Sequence, residues 1–182
     1  AMRAAYRTIC NGGQGALLAP TTGLAAQHLR LMRIRMPKVR SELLSSIARR
    51  TAAERRELLD DVEAGKVDIL IGTTALLGDK VKWNRLKLLV IDEEQRFGVR
   101  QKDRIKQSSL YVDVLALSAT PIPRTMYMCM AGIRNMSTLQ TPPEGRKAVL
   151  TNVMERDDDV AVRAVREELA RGGQVFYLPG PT

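Results

Sequence analysis

The chain has 182 residues, which is enough for one complete domain and part of a second. Hydrophobic residues make up 45% and charged residues 27%, which excludes a disordered, collagen-like or membrane-spanning chain. A net charge of +9 favours a polyanionic partner, most commonly nucleic acid, although a basic surface kept only for solubility would give the same sum.

The two cysteines and the one histidine argue against disulfide and metal chemistry. Cys10 and Cys129 lie far apart, and neither has a second Cys or His at ligand spacing. His28 cannot complete a catalytic triad alone, and we expect it on the polar side of a helix. No signal peptide or apolar run of about 20 residues is present. These features predict a reducing, aqueous compartment such as the cytoplasm.

Short apolar runs alternate with charged segments of helical period, which predicts an α/β fold: a parallel sheet with helices on both faces. In chain order the predicted elements are a helix over 1–10, a strand over 15–19, a helix over 23–36, a strand over 39–45, a helix from Thr51 to about residue 64, strands over 68–73 and 87–92, a helix over 100–107, a strand over 112–120, a helix over 123–130, a strand over 149–154, a helix over 157–171 and a strand over 174–178. Thr51 and Glu54 have the spacing of a capping box, and Gly65 predicts the end of that helix.

A linker is predicted where Thr141-Pro142-Pro143-Glu144-Gly145 interrupts the pattern. We therefore expect a first domain over residues 1–140, a linker over 141–147 and the beginning of a second domain over 148–182.

An acidic pair follows the apolar residues of the predicted strand over 87–92. Asp92 and Glu93 then lie at the carboxyl end of that strand, the end at which open α/β sheets bind ligands. One carboxylate there can hold Mg²⁺ through water while its neighbour activates an attacking water, as phosphoryl transfer requires. A buried strand that simply ends in solvated acids would give the same pattern.

Two short hydroxyls, Ser118 and Thr120, close the next predicted strand. Side chains of this size can hydrogen-bond Gln95 or Glu93 and respond to a bound phosphate. Taken alone, the tripeptide also fits an ordinary turn at a strand end.

Two further strand ends share small residues and hydroxyls just before a predicted helix. They are Pro20-Thr21-Thr22 and Gly72-Thr73-Thr74. Backbone N–H groups at a helix N-terminus, together with a threonine hydroxyl, can clamp a phosphate without reading bases, although each segment alone also fits an ordinary helix cap. On one edge of a sheet, two such segments would form a track for a sugar-phosphate strand. The basic stretches 30–40 and 96–106 would add charge nearby.

Taken in order, these segments resemble the motor core of superfamily 2 helicases and translocases. The corresponding motifs are APTTGLAAQH (Ia), IGTTALL (Ib), DEEQ (II) and SAT (III). RFGV after the acidic run and PIPRT after SAT are similar to the branch that contains bacterial transcription-repair coupling factors and RecG-type branched-DNA helicases. GKVDILIGT, MAGIRNMST, TPPEGR and GGQVFYL are more similar to the coupling factors.

The resemblance implies two RecA-like domains and a double-stranded-DNA translocase that uses ATP and Mg²⁺. In the coupling factors such a motor displaces stalled RNA polymerase and recruits excision-repair proteins. Position by position, Asp92 would hold Mg²⁺ through water and Glu93 would be the catalytic carboxylate. Gln95, Ser118 and Thr120 would couple nucleotide state to DNA binding, and Arg124 would lie in the segment that links ATP state to movement. The expected phosphate-backbone contacts are Pro20, Thr21, Thr22, Gly72, Thr73 and Thr74.

The chain also departs from the family pattern. Gln95 stands where the family usually has His, and no G-x-x-x-x-G-K-[ST] phosphate loop is present. In the family that loop lies just upstream of the helix that residues 1–6 resemble. We therefore expect a fragment of a longer motor that does not hydrolyse ATP efficiently by itself. A RecG-type helicase and a DNA-binding module without a nucleotide site remain alternatives.

Overall fold

The computed structural model describes residues 1–45, 50–98, 112–119, 132, 135–139, 141, 145, 149–155 and 157–178. The chain divides into two compact units, Ala1–Met136 and Ser137–Thr182. The helices predicted over 100–107 and 123–130 lie outside the described residues, as do most of the linker predicted over 141–147 and the site residues Thr120 and Arg124.

The first unit contains three helices and five strands in the described ranges. The helices are α1 (Met2–Cys10), α2 (Thr22–Arg35) and α3 (Ala52–Glu63). The strands are β1 (Gln14–Leu18), β2 (Ser41–Leu44), β3 (Ile69–Gly72), β4 (Leu86–Ile91) and β5 (Asp113–Ala116). Short 3-10 helices cover Thr74–Leu77 and Glu94–Arg96. Each of the three α-helices and five strands overlaps a predicted element, with bounds that differ by a few residues, whereas the two 3-10 helices are not among the predicted elements.

The strands form one parallel sheet in the order β2-β3-β1-β4-β5. Leu18 at the end of β1 is in register with Gly72 of β3 and Ile91 of β4, and Ile91 is in register with Ala116 of β5. The carboxyl ends of these four strands therefore lie along one edge, called here the carboxyl edge.

Alternate residues of each central strand pack into two different hydrophobic clusters, one on each face of the sheet. In β4, Leu88 and Val90 join the cluster that contains α1 and α2, whereas Leu89 and Ile91 join the cluster that contains α3. This alternation explains why the strands read as continuous apolar runs, since both faces are covered. The predicted α/β sheet with helices on both faces is confirmed.

The capping box predicted for α3 is present. The Thr51 hydroxyl accepts a hydrogen bond from the Glu54 N–H at 3.2 Å, and the Glu54 carboxylate accepts one from the Thr51 N–H at 2.7 Å. The bond from the Thr51 N–H, followed by a bond from the Thr51 hydroxyl to the same carboxylate at 3.0 Å, holds the pKa of Glu54 below its ordinary value of 4.5. Gly65 follows the helix with a φ of 75°, a left-handed conformation that glycine adopts without strain.

The second unit contains one described helix, α4 (Asp158–Ala170), capped by the Asp157 carboxylate. The strands predicted over 149–154 and 174–178 are wrong, because both segments lie outside any helix or strand. Apolar side chains such as Val153 and Phe176 are almost fully exposed there. A strand needs a hydrogen-bonding neighbour, and these segments have none within the described part of the second unit. No helix in the described ranges of the chain is long and apolar enough to cross a bilayer.

Candidate functional site

The carboxyl ends of β1 and β4 lie side by side at the point where the strand order across the sheet reverses. From β1 the chain continues through α2 to β2 on one side of the sheet, whereas from β4 it continues to β5 on the other side. The Asp92 N–H donates to the Leu18 carbonyl at 2.9 Å and extends the pairing of these strands past their ends. In doubly wound sheets such a point leaves a crevice for ligands, so Asp92 lies at the expected position for a site.

Asp92 contacts a histidine that no sequence motif predicts at this position. Its Oδ2 lies 2.7 Å from Nε2 of His28 in α2, and the two side chains are only 19% and 21% exposed. The expectation that His28 lies on the polar side of its helix is therefore wrong. Ala25 and Met32, one turn on either side, are fully buried against the sheet, which shows that His28 is on the inner face of α2.

Glu93, Gln95 and Ser118 form a hydrogen-bonded run between the ends of β4 and β5. Gln95 Nε2 donates to a Glu93 carboxylate oxygen, and the Ser118 hydroxyl donates to Gln95 Oε1 at 2.8 Å. The structure thus places Ser118 within hydrogen-bond distance of Gln95, as the sequence predicts.

Glu93 has a left-handed backbone, with φ 52° and ψ 54°. Residues with a Cβ seldom adopt this backbone conformation. It costs roughly 1–3 kcal/mol when the surrounding structure enforces it. Both neighbours are fixed, since the Asp92 N–H donates to Leu18 and the Glu94 N–H donates to the Leu117 carbonyl at 3.1 Å. The chain is held in a tight turn directly after the strand.

The segment Pro20-Thr21-Thr22 lies at the carboxyl edge, directly after β1. The Thr21 hydroxyl accepts from the Leu24 N–H at 3.3 Å and caps α2. A hydroxyl that accepts one hydrogen bond can still donate its own proton to another acceptor, such as a phosphate oxygen. The helix cap at Thr21 is therefore present, and the phosphate contact stays a prediction.

The segment Gly72-Thr73-Thr74 lies at the same edge, at the end of β3. Its last residue begins a short 3-10 helix, and the side chain of the N-cap residue Thr73 makes no capping hydrogen bond. Packing alone explains the glycine at position 72, since a Cβ there would lie 2.6 Å from the Leu44 carbonyl oxygen in the neighbouring strand. The structure thus brings the two threonine pairs to one edge, as predicted, with different local geometry.

The basic stretch over 30–40, which is predicted to add charge beside the carboxyl edge, lies in part elsewhere on the sheet. Because α2 runs back along the sheet, its C-terminal half and the following loop reach the opposite, amino edge. There Arg33 Nη2 lies 3.5 Å from the Ser41 carbonyl oxygen at the start of β2, and the Arg40 guanidinium lies 2.6 Å from the Asp61 carboxylate. Hydrogen bonds from Arg40 and Lys66 hold the pKa of Asp61 below its ordinary value of 3.8. Arg40 and Lys66 therefore neutralise Asp61 at the amino edge, opposite the edge at which Asp92 lies.

The residues at the carboxyl edge fit a magnesium-nucleotide complex in their donor chemistry. Mg²⁺ in such sites is held by one or two carboxylates together with water and phosphate oxygens, and Asp92 offers a largely buried carboxylate of this kind. Among the residues that the structure describes, no three His, Cys, Asp or Glu side chains form a metal site of their own.

Comparison with known proteins gives matches along nearly the whole chain. The sequence signature of the DEAD/DEAH box helicases matches residues 1–128. The transcription-repair-coupling factors of Myxococcus xanthus and Escherichia coli (strain K12) are 48% and 50% identical to this chain, each over 180 residues. Both matches cover 98% of this chain but 15% and 16% of the relatives, so the chain spans a small part of their length.

Two solved structures have a similar fold. RecG bound to a three-way DNA junction superposes with a TM-score of 0.65 at 34% identity, over 89% of this chain and 22% of RecG. A hypothetical ATP-dependent RNA helicase from Sulfolobus tokodaii superposes with a TM-score of 0.52 over 73% of this chain and 42% of its own; at 18% identity it supports the fold alone. These findings confirm the resemblance to superfamily 2 helicases. The chain belongs to the DEAD/DEAH box helicase family, and the sheet of its first unit has the family's RecA-like fold.

Proposed function

We propose that this chain is part of the motor core of an ATP-driven double-stranded-DNA translocase of the transcription-repair coupling type. The observation that carries the proposal is the run of hydrogen bonds from Ser118 through Gln95 to Glu93, beside Asp92, at the carboxyl edge. The identity of 48% to 50% with coupling factors and the net charge of +9 support the same reading.

In this proposal the two acids have different tasks. Asp92 holds Mg²⁺ through water, and Glu93 orients and deprotonates the water that attacks the terminal phosphate. When bound, Mg²⁺ offsets the charge that develops on the phosphate oxygens. The left-handed turn at Glu93 gives neighbouring acids different directions, which such a division of tasks requires.

Gln95 connects these acids to the next strand. Its amide has both a donor and an acceptor, and the two are engaged with Glu93 and Ser118 respectively. A shift of the β5 end would therefore change the position of the Glu93 carboxylate. Thr120 and Arg124, which follow Ser118 in the chain, stay predictions as further parts of this link.

The DNA would be held by its phosphates at the same edge. Thr21, Thr22, Thr73 and Thr74 present hydroxyls after neighbouring strands, with Pro20 and Gly72 shaping the two turns. Contacts of this kind do not read bases, so the proposed binding is independent of sequence. Since the sequence has no G-x-x-x-x-G-K-[ST] loop, we propose that ATP turnover needs phosphate-binding residues in addition to this chain.

The test is Glu93→Gln in the complete protein that contains this chain. ATP turnover should fall by about a hundredfold or more because the general base is lost, while nucleotide affinity should stay within about threefold of wild type. Glu57→Gln, at an exposed position in α3, is the matched control and should leave both unchanged. Near-normal turnover in Glu93→Gln would remove Glu93 from its proposed role.

A RecG-type function is the second candidate, because RecG has 34% identity and a TM-score of 0.65 against this chain. The two functions differ in substrate: a coupling factor acts on a stalled RNA polymerase and excision-repair proteins, and a RecG-type enzyme acts on branched DNA. Release of a stalled transcription complex by the complete protein supports the first, and unwinding of a three-way junction without such release supports the second. DNA binding with no ATP turnover in the wild type would support a non-catalytic module.

A further inference from the structure

The contact between His28 and Asp92 joins parts of the chain that lie 64 residues apart in sequence. A carboxylate only accepts hydrogen bonds, so the ring bears a proton on Nε2 and donates it to Oδ2. The bond fixes one oxygen of the carboxylate that is proposed to hold Mg²⁺. Both side chains are about four-fifths buried, which shields the bond from competing water.

The position of His28 in α2 links this bond to the other end of the site. His28 lies seven residues after Thr21, two helical turns and about 10 Å along the same face. Ala25 lies between them on that face and is fully buried against the sheet. A helix packed in this way moves as a rigid element, so a displacement at its N-terminus reaches His28.

We propose that His28 is a positioning residue, which orients the Asp92 carboxylate and connects DNA contact at the start of α2 with the binding of magnesium-nucleotide. The inference rests on the proposed function and adds a residue to it. Hydrogen-bond partners of metal-binding side chains commonly change metal affinity tenfold or more when they are removed. Coupling between two ligands is also reciprocal, so DNA and nucleotide must change each other's affinity by the same factor.

The experiment compares two amide variants of the complete protein. His28→Gln places an amide nitrogen four bonds from Cα, like the histidine Nε2, whereas the amide nitrogen of His28→Asn is one bond shorter. The dissociation constant of a non-hydrolysable fluorescent ATP analogue is measured with and without Mg²⁺, and with and without duplex DNA. Gln27→Asn, at the exposed neighbouring position, is the matched control.

Two results are expected. His28→Asn should reduce the strengthening of nucleotide binding by Mg²⁺ by about tenfold, and it should reduce the factor by which DNA changes nucleotide affinity. His28→Gln should restore most of both, and Gln27→Asn should match wild type. The affinity without Mg²⁺ reports whether each variant is folded at the site. If His28→Asn does not fold, His28→Leu, which keeps an apolar contact with the sheet, should show the same losses.

The inference would be overturned, with the proposed function intact, if Mg²⁺ and DNA changed nucleotide affinity equally in three proteins. These are wild type, His28→Gln and the variant without the hydrogen bond. Absence of magnesium-dependent nucleotide binding in the wild type would instead overturn the proposed function, and the role of His28 with it.

Discussion

Glu93 combines a proposed catalytic side chain with the one positive φ among the described non-glycine residues. The sequence alone predicts that acids follow β4, but it gives no sign of this turn, because glutamate rarely adopts it. The turn is imposed by hydrogen bonds on either side of Glu93, from Asp92 to Leu18 and from Glu94 to Leu117. Retaining a strained residue here costs stability, as is common at functional sites.

The strain predicts an unusual order of stability for two variants that both lack the carboxylate. Glycine normally destabilises a chain relative to alanine, but it adopts a φ near 52° without a steric penalty. Glu93→Gly should therefore unfold at a higher denaturant concentration than Glu93→Ala. We expect its free energy of unfolding to be greater by about 1 kcal/mol. Alanine equal to or more stable than glycine would mean that the backbone at Glu93 is not left-handed.

His28 and Gln14 show what sequence patterns leave out at this scale. Gln14 starts a buried strand, and its amide donates to the Val62 and Val67 carbonyls and accepts from the N–H groups of Asn84 and Arg85. Such partners are distant in sequence, so periodicity cannot reveal them. For His28 one signal exists: seven residues separate it from the cap Thr21, which places both on one helical face.

Among the elements, α2 explains both a correct and a wrong expectation. Its N-terminus lies at the carboxyl edge because the helix follows β1 directly, as the order of strand, hydroxyl cap and helix predicts. The same geometry takes Arg33 and Arg40 to the amino edge. These arginines are close to the α2 N-terminus in sequence but not in space, since a helix of 14 residues is about 21 Å long. The prediction that they add positive charge beside the carboxyl edge is therefore wrong.

The amino-edge ion pairs predict how stability depends on pH. Folding lowers the pKa of Asp61, so its pairing with Arg40 and Lys66 contributes at pH values above 3.8 and is lost as the pH falls through the lower folded value. Asp61→Asn should lower the thermal midpoint at pH 7, and its difference from wild type should shrink in acid. Thermal unfolding between pH 7 and pH 2 measures this. The neighbouring exposed Asp60→Asn is the control, and a difference that is independent of pH would contradict the assignment.

The threonines after β3 predict how DNA binding responds to mutation. Replacing Thr73 and Thr74 with Ala should weaken the binding of unrelated duplexes by similar factors, because phosphates carry no sequence information. Arg35→Ala, exposed at the far end of α2, should have a smaller effect if the track lies at the carboxyl edge. Fluorescence anisotropy with several duplexes at fixed salt is the measurement, and a loss confined to one duplex would contradict a backbone track.

At the scale of the molecule, the sequence predicts the strands of the first unit far better than those of the second. Five apolar runs become five parallel strands, because each run is covered on at least part of both faces. The runs over 149–154 and 174–178 are also rich in apolar residues but form no strand in the described residues, because composition does not supply a pairing partner. Motif order identified the family, and topology explains why the motifs meet: parallel strands bring every carboxyl end to one edge.

The most direct measurement is displacement of a triplex-forming oligonucleotide from duplex DNA by the complete protein, with and without ATP. We predict displacement that requires ATP and Mg²⁺, is independent of duplex sequence, and is lost in Glu93→Gln although that variant still binds duplex and nucleotide. Displacement by Glu93→Gln at the wild-type rate, or duplex binding by the wild type with no ATP-dependent displacement, would contradict a motor site built on Asp92 and Glu93.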